Sequence, residues 1–165
     1  GDLTIDSAIG GDLEAASGEM EITRGSHIRG NAELAAAEIQ LNGQIDGTLE
    51  AAGAFVQVRG EVGGEAWLMA DPHEGRRSWH AEIDEDGARA GSTNGLVEIS
   101  GEFGDALHVC ARRVNFLRNA SVEGPIHVWA DSEPEVADAA ELGSVSFERR
   151  NGRDCDDIFD DLDRR

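Results

Sequence analysis

Apolar and polar residues alternate along most of this chain, and the alternation restarts at a nearly fixed interval. Taking the apolar residue ahead of each turn as position zero, Ile9, Ile28, Ile45, Val62, Phe103 and Val122 head successive copies, with Gly11, Gly30, Gly47, Gly64, Asp105 and Gly124 two residues later. Offset four carries Leu13, Ala32, Leu49, Ala66, Leu107 and Ile126, and offset six carries Ala15, Leu34, Ala51, Leu68, Val109 and Val128. A period of two marks strands with one buried face. Offset eight holds only small residues, from Ser17 to Ala130, which predicts a tight interior corner. Pairs at offsets eleven and thirteen, from Met20/Ile22 to Val114/Phe116, predict a second short strand. Leu3/Ile5 reads as an earlier copy of that pair and Val145/Phe147 as a later one.

The heads fall 19, 17, 17, 41 and 19 residues apart, so the repeat is about 17 residues, with 24 residues inserted into one copy. Two insertions are read, at 71–95 and 131–144. Both lie between offsets eight and eleven, and so on one edge. One such copy cannot bury its apolar side chains alone. Copies stacked about 4.8 Å apart satisfy each backbone group from above and below and align like side chains into interior ladders. The expected fold is an all-β, right-handed β-solenoid of about six coils. Left-handed hexapeptide solenoids need an inward aliphatic every six residues, which these offsets do not supply. The expected layout is a solenoid over 1–150 and an acidic tail over 151–165.

Local patterns set further expectations. In the first insertion, alternation at Trp79, Ala81 and Ile83 ahead of DEDG predicts a hairpin on the solenoid wall, and Arg76 and Arg77 are expected to pair with nearby carboxylates. In the second, Ser132 and Pro134 predict a short helix from about 134. In the tail, Ile158, Phe159 and Leu162 stand at near-helical spacing. They are read either as a cap folded over Val145 and Phe147 or as part of a solvated tail.

Composition narrows the partners. Asp and Glu number 34 against 14 basic residues, all Arg, for a net charge of -20. Nucleic acid is excluded as a partner because its phosphates would be repelled. A lysine-free acidic surface looks like that of an extreme halophile, where molar salt screens charge over about 3 Å; an acidic protein from a GC-rich genome is the other reading. No apolar run approaches the roughly 18 residues of a membrane span, and the missing initiator Met leaves room for a removed segment. Cys110 and Cys155 are too few for a disulfide framework and lack metal spacing, so they leave the compartment open. Asn119-Ala120-Ser121 is a short sequon of the kind that arises often by chance.

Candidate chemistry is sparse. His108 and His127 share offset five and should stack outward on adjacent coils, where His73 or His80 would complete a zinc-type donor set; surface histidines also stack incidentally. No Ser or Cys is spaced with a His as a nucleophile motif requires, and no glycine motif cradles phosphate. No catalytic, metal or cofactor residue is therefore assigned, and the chain is not expected to be an enzyme. The ends of the rod are the stronger candidate. Uncapped terminal coils present unpaired strand edges and apolar ladder ends, which places a polymer interface at Leu3 and Ile5 on one side and at Val128, Val145 and Phe147 on the other.

As a phrase, V-x-G-x-L-x-A-x-A-x-x-V-x-V-x-G, repeated over 3–130 and 145–147 outside the first insertion, resembles the bactofilin family and, with this acidity, its haloarchaeal halofilin relatives. The resemblance implies a right-handed β-helix that stacks end to end into nucleotide-free filaments as a cell-shape scaffold. The location is left open, with a cytoplasmic, membrane-associated one favoured. The insertions and the acidic tail depart from the family pattern and bear on whether the ends are free to stack. The expected partner is a second copy of the chain. The competing readings are a monomeric module holding a membrane or envelope partner on the insertion edge and, last, a metal-dependent enzyme. If the acidity reflects adaptation to salt, moving the protein from molar KCl to dilute buffer lowers its melting temperature through self-repulsion; an unchanged temperature counts against that origin.

Overall fold

A computed structural model describes residues 1–70 and 95–163. The described chain is a right-handed β-solenoid whose strands all pair in parallel, turn upon turn. Each turn lays down a two-residue strand, then a longer strand that crosses two faces or splits into two. The first face comprises β2 (Ala8–Ile9), β4 (His27–Ile28), β6 (Gln44–Ile45), β9 (Glu61–Val62), β12 (Glu102–Phe103), β15 (Ser121–Val122) and β18 (Glu141–Leu142). They form a 7-stranded sheet, one strand per turn. The other two faces belong to a 12-stranded sheet. It starts with β1 (Asp2–Ile5) and the long strands β3 (Leu13–Ile22) and β5 (Ala32–Leu41), which bend around the corner unbroken. Beyond them it divides. One branch holds β7 (Leu49–Gly53), β10 (Ala66–Ala70), β13 (Leu107–Ala111), β16 (Ile126–Ala130) and β19 (Val145–Arg149). The other holds β8 (Phe55–Val58), β11 (Leu96–Ile99), β14 (Arg113–Phe116) and β17 (Glu135–Val136).

The register carries the predicted ladders. Ile28, Ile45, Val62 and Phe103 stack in one column, and Ile22, Leu41, Val58, Ile99 and Phe116 stack in another. All of these side chains are buried. Offsets four and six trade volume from turn to turn: Leu13/Ala15 lies under Ala32/Leu34, then Leu49/Ala51, then Ala66/Leu68. In these four turns a large residue in one column is matched by a small one beside it, whereas Leu107/Val109 and Ile126/Val128 are large in both; complementary volumes of this kind fill a bore of constant width.

The turn glycines answer to closeness rather than to unusual dihedrals. A Cβ at Gly60 would lie 1.8 Å from the carbonyl oxygen of Gly43, and one at Gly64 would lie 2.7 Å from that of Gly47. Backbones at these corners stack too tightly for a methyl group. Gly95 differs: its φ of 81° lies in the left-handed region, and its N–H donates to the Ala54 carbonyl at 2.6 Å while its carbonyl accepts from the Arg112 and Arg113 N–H groups.

Two expectations are corrected. Residues 131–144 are not an insertion and form no helix. Phe116 pairs with Val136, Val122 with Leu142, Ile126 with Val145 and Val128 with Phe147. The segment completes one turn and begins another, so Leu142 is a seventh head, and Val145/Phe147, three and five residues after it, take the columns of offsets four and six rather than those of eleven and thirteen. Short parallel strands win over the Pro-initiated helix because the turn below offers a complete backbone edge. Residues 71–94 of the first insertion lie outside the described residues; the ladder runs to Ala70 and resumes at Leu96, which pairs with Phe55. Trp79, Ala81, Ile83, Arg76, Arg77, His73 and His80 all lie outside the described residues.

The tail is neither an end cap nor wholly solvated. After a left-handed Asn151-Gly152 turn it forms α1 (Cys155–Asp163). This helix lies on the outer flank of the β10, β13 and β16 branch, where Cys155 and Ile158 are buried with Cys110 and Trp129. Cys110 and Cys155 form a disulfide across 45 residues, an arrangement that a count of two cysteines did not suggest. Arg150, nearly buried, fixes the approach by bonding Asp131 through Nε at 3.0 Å. Gly60→Ala is expected to destabilise the fold by about 1–3 kcal/mol through overpacking, read as a lower urea midpoint at unchanged slope.

Candidate assembly interface

Both ends of the solenoid are open among the described residues. At the N-terminal end, Leu3 and Ile5 of β1 pair with Met20 and Ile22, and Ile9, Leu13 and Ala15 complete the terminal layer. All five are only partly buried against the core. At the C-terminal end the last layer is Val136, Leu142, Val145 and Phe147. Val136 is 48% exposed and Val145 39%, the large apolar residues most open to solvent. Helix α1 covers the flank and leaves this layer uncovered.

The residues anticipated at the interface divide accordingly. Leu3 and Ile5 lie on the N-terminal surface, and Val145 and Phe147 on the C-terminal one. Val128 is fully buried, one layer inside, beneath Phe147. Ile9, Leu13, Ala15, Val136 and Leu142 belong to the ends and were not anticipated. Counting Leu142 as a head 20 residues after Val122 is the signal that would have found the C-terminal group.

The ends match each other column by column. Val136 closes the column that Ile5 opens, Leu142 the column of Ile9, and Val145 and Phe147 the columns of Leu13 and Ala15. Unpaired backbone groups lie on both surfaces with parallel polarity, as successive turns have throughout the rod.

Elsewhere the histidines are committed to other contacts. His108 stacks on Trp67 with ring centres 3.9 Å apart, and His127 stacks on Trp129 at 3.7 Å. Their Nε2 atoms meet Glu65 at 3.3 Å and Glu148 at 2.6 Å. Nδ1 of His108 is buried without a partner among the described residues. Among those residues no group of three or more His, Cys, Asp or Glu side chains gathers to hold a metal.

Titration on the first face follows the stacking. Glu102 lies directly over Glu61, and the hydrogen bond between the two carboxyls raises the Glu102 pKa above the usual carboxylate range, helped by mutual repulsion. Asp46 is held below that range by its hydrogen bond to His27. Both shifts belong to exposed neighbours on the ladder.

Comparison of the chain with protein-family models, curated proteins and solved structures returned no match. No helix among the described residues is long and apolar enough to cross a membrane.

Because α1 packs on the flank, its anchor and the ends should be separable. Reducing the Cys110–Cys155 bridge is expected to lower the unfolding free energy by about 2–4 kcal/mol while leaving the sedimentation profile of the folded protein unchanged, as checked by denaturation and sedimentation velocity with and without reductant.

Proposed function

We propose that this chain is a structural scaffold subunit that assembles head to tail, each copy continuing the β-solenoid of the last. The observation that carries this reading is the column-by-column correspondence of the two open ends. With β1 of one copy laid on β17 of the next, Ile5 meets Val136, Ile9 meets Leu142, Leu13 meets Val145 and Ala15 meets Phe147. At the junction the large Phe147 would lie over the small Ala15, and the aliphatics Val145 and Leu13 would meet. Such a contact is heterologous and does not close on itself, so it propagates as a filament.

Charge supports the same junction. Along the outward columns Glu135 would face Thr4, Glu141 would face Ala8, Ser146 would face Glu14 and Glu148 would face Ala16. At these four positions no acid meets an acid, whereas inside the rod Glu14, Glu33 and Glu50 stack directly. Burying each large apolar side chain contributes roughly 1.5–3 kcal/mol, and association costs about 4–15 kcal/mol in lost freedom. The balance is close enough that edge hydrogen bonds and the screening of a -20 subunit decide it, so assembly is favoured by salt.

The resemblance to bactofilins points the same way, and a cell-shape role belongs to this proposal. The disulfide goes with an oxidising compartment rather than a reducing cytoplasm, which would place the assembly outside the cytosol. The expected result is filaments by negative-stain microscopy, lengthening from dilute buffer to molar salt. Val145→Glu and Ile5→Glu should each give a folded monomer by circular dichroism and sedimentation. Filaments persisting in both variants would refute end stacking.

A further inference from the structure

On the flank that carries α1, the outward columns change character halfway along the rod. In the later turns they are aromatic and covered: Trp67, His108 and His127 stack beside Met69, Cys110 and Trp129, with α1 packed over them. In the earlier turns the same columns hold Glu14, Glu33 and Glu50 beside Ala16, Ala35 and Ala52, and among the described residues no helix lies over them. A cavity of about 360 Å³ lies at the boundary, lined by Glu33, Glu50, Glu65, Trp67, Met69 and Phe159 among others. That volume is near the lower limit for small-ligand sites and admits a side chain rather than a large cofactor.

Trp67 is held rigidly at this boundary. One face of its ring rests on His108 at 3.9 Å, and Phe159 of α1 meets it edge-on at 5.2 Å. Its Nε1 donates to Glu65 Oε1 at 3.0 Å, while the other oxygen of Glu65 contacts His108. The ring's opposite face therefore looks down the column onto Glu50, its register partner in the turn before, with Glu33 one turn further. Both carboxylates are exposed, and no hydrogen bond or ion pair to another described residue occupies either.

We propose that this groove docks an arginine-bearing segment of a partner protein, with the guanidinium stacked on the open face of Trp67 and hydrogen-bonded to Glu50 and Glu33. The argument is one of complementarity. A planar cation continues the stack that His108 begins, since Arg lies flat on aromatic rings and pairs with carboxylates through its fork of donors. It also relieves the repulsion between acids stacked about 4.8 Å apart. A lysine ammonium would neutralise the same charge without the stacking plane, so Arg is favoured over Lys. The alanine column alongside gives the rest of the segment a smooth floor.

The test uses the whole oxidised protein with blocked Gly-Arg-Gly, Gly-Lys-Gly and Gly-citrulline-Gly peptides, followed by NMR in dilute and molar salt. The Arg peptide should bind with its side-chain protons shifted upfield by the ring current of Trp67, the Lys peptide more weakly, and the neutral citrulline peptide not detectably. Trp67→Ala should weaken Arg binding about tenfold. Glu50→Gln, at an exposed position that leaves the fold intact, should weaken it several-fold and reduce its salt dependence. Equal binding of the Arg and citrulline peptides, unchanged binding in Glu50→Gln, or no ring-current shift would overturn the proposal. So would a preference for a neutral oligosaccharide over the Arg peptide, or loss of self-association in Trp67→Ala, which would assign the groove to a second copy. Filament formation in Val145→Glu reports on the ends alone, so the two proposals fail separately.

Discussion

Parallel, in-register stacking of turns is the constraint on which the rest of this molecule depends. Each turn supplies the hydrogen-bond partners of its neighbours, so no turn is stable alone and every column holds side chains that must tolerate a copy of their own position above and below. The first four turns meet this by trading Leu for Ala between offsets four and six. Corners meet it by glycine, where stacked backbones leave no room for a Cβ. Outward columns are free to vary, and there the chain differs most from turn to turn.

The same rule makes the ends special. A parallel ladder has no natural stop, and its last layer carries both exposed apolar side chains and unmet backbone groups. Val136 and Val145 are exposed for this reason, not through any local peculiarity of sequence. The one helix described would have been well suited to cover such a layer, yet the disulfide and Arg150 direct it to the flank. Its position leaves the ends available and finishes the aromatic column at Trp67, where the acidic half of the flank begins. The proposed assembly along the axis and the proposed recognition at the side thus draw on different surfaces of one fold.

Charge adds a second organising term. A net charge of -20 spread over ladders obliges like charges to stack, as Glu33 and Glu50 do on the flank and Glu61 and Glu102 on the first face. Repulsion of this kind is tolerable when salt screens it or a cation joins it, and both proposed contacts use one of these routes.

The sequence by itself determined the solenoid and most of its interior columns, because strand alternation repeated at a near-constant spacing has few other solutions, and Leu3 and Ile5 as the opening pair followed from the same count. It misplaced the last turn. The stretch from Val122 to Leu142 runs three residues beyond the repeat of 17 and carries Pro125 and Pro134, and a helix-like local pattern cannot reveal that the turn below offers a template for strands. Tertiary structure alone decided that Val128 is interior, that Val145 stands over Ile126, that Cys110 meets Cys155, and that Phe159 reaches Trp67 across the flank. These contacts join residues far apart in the chain, and their pairing follows from how many turns intervene rather than from any local pattern.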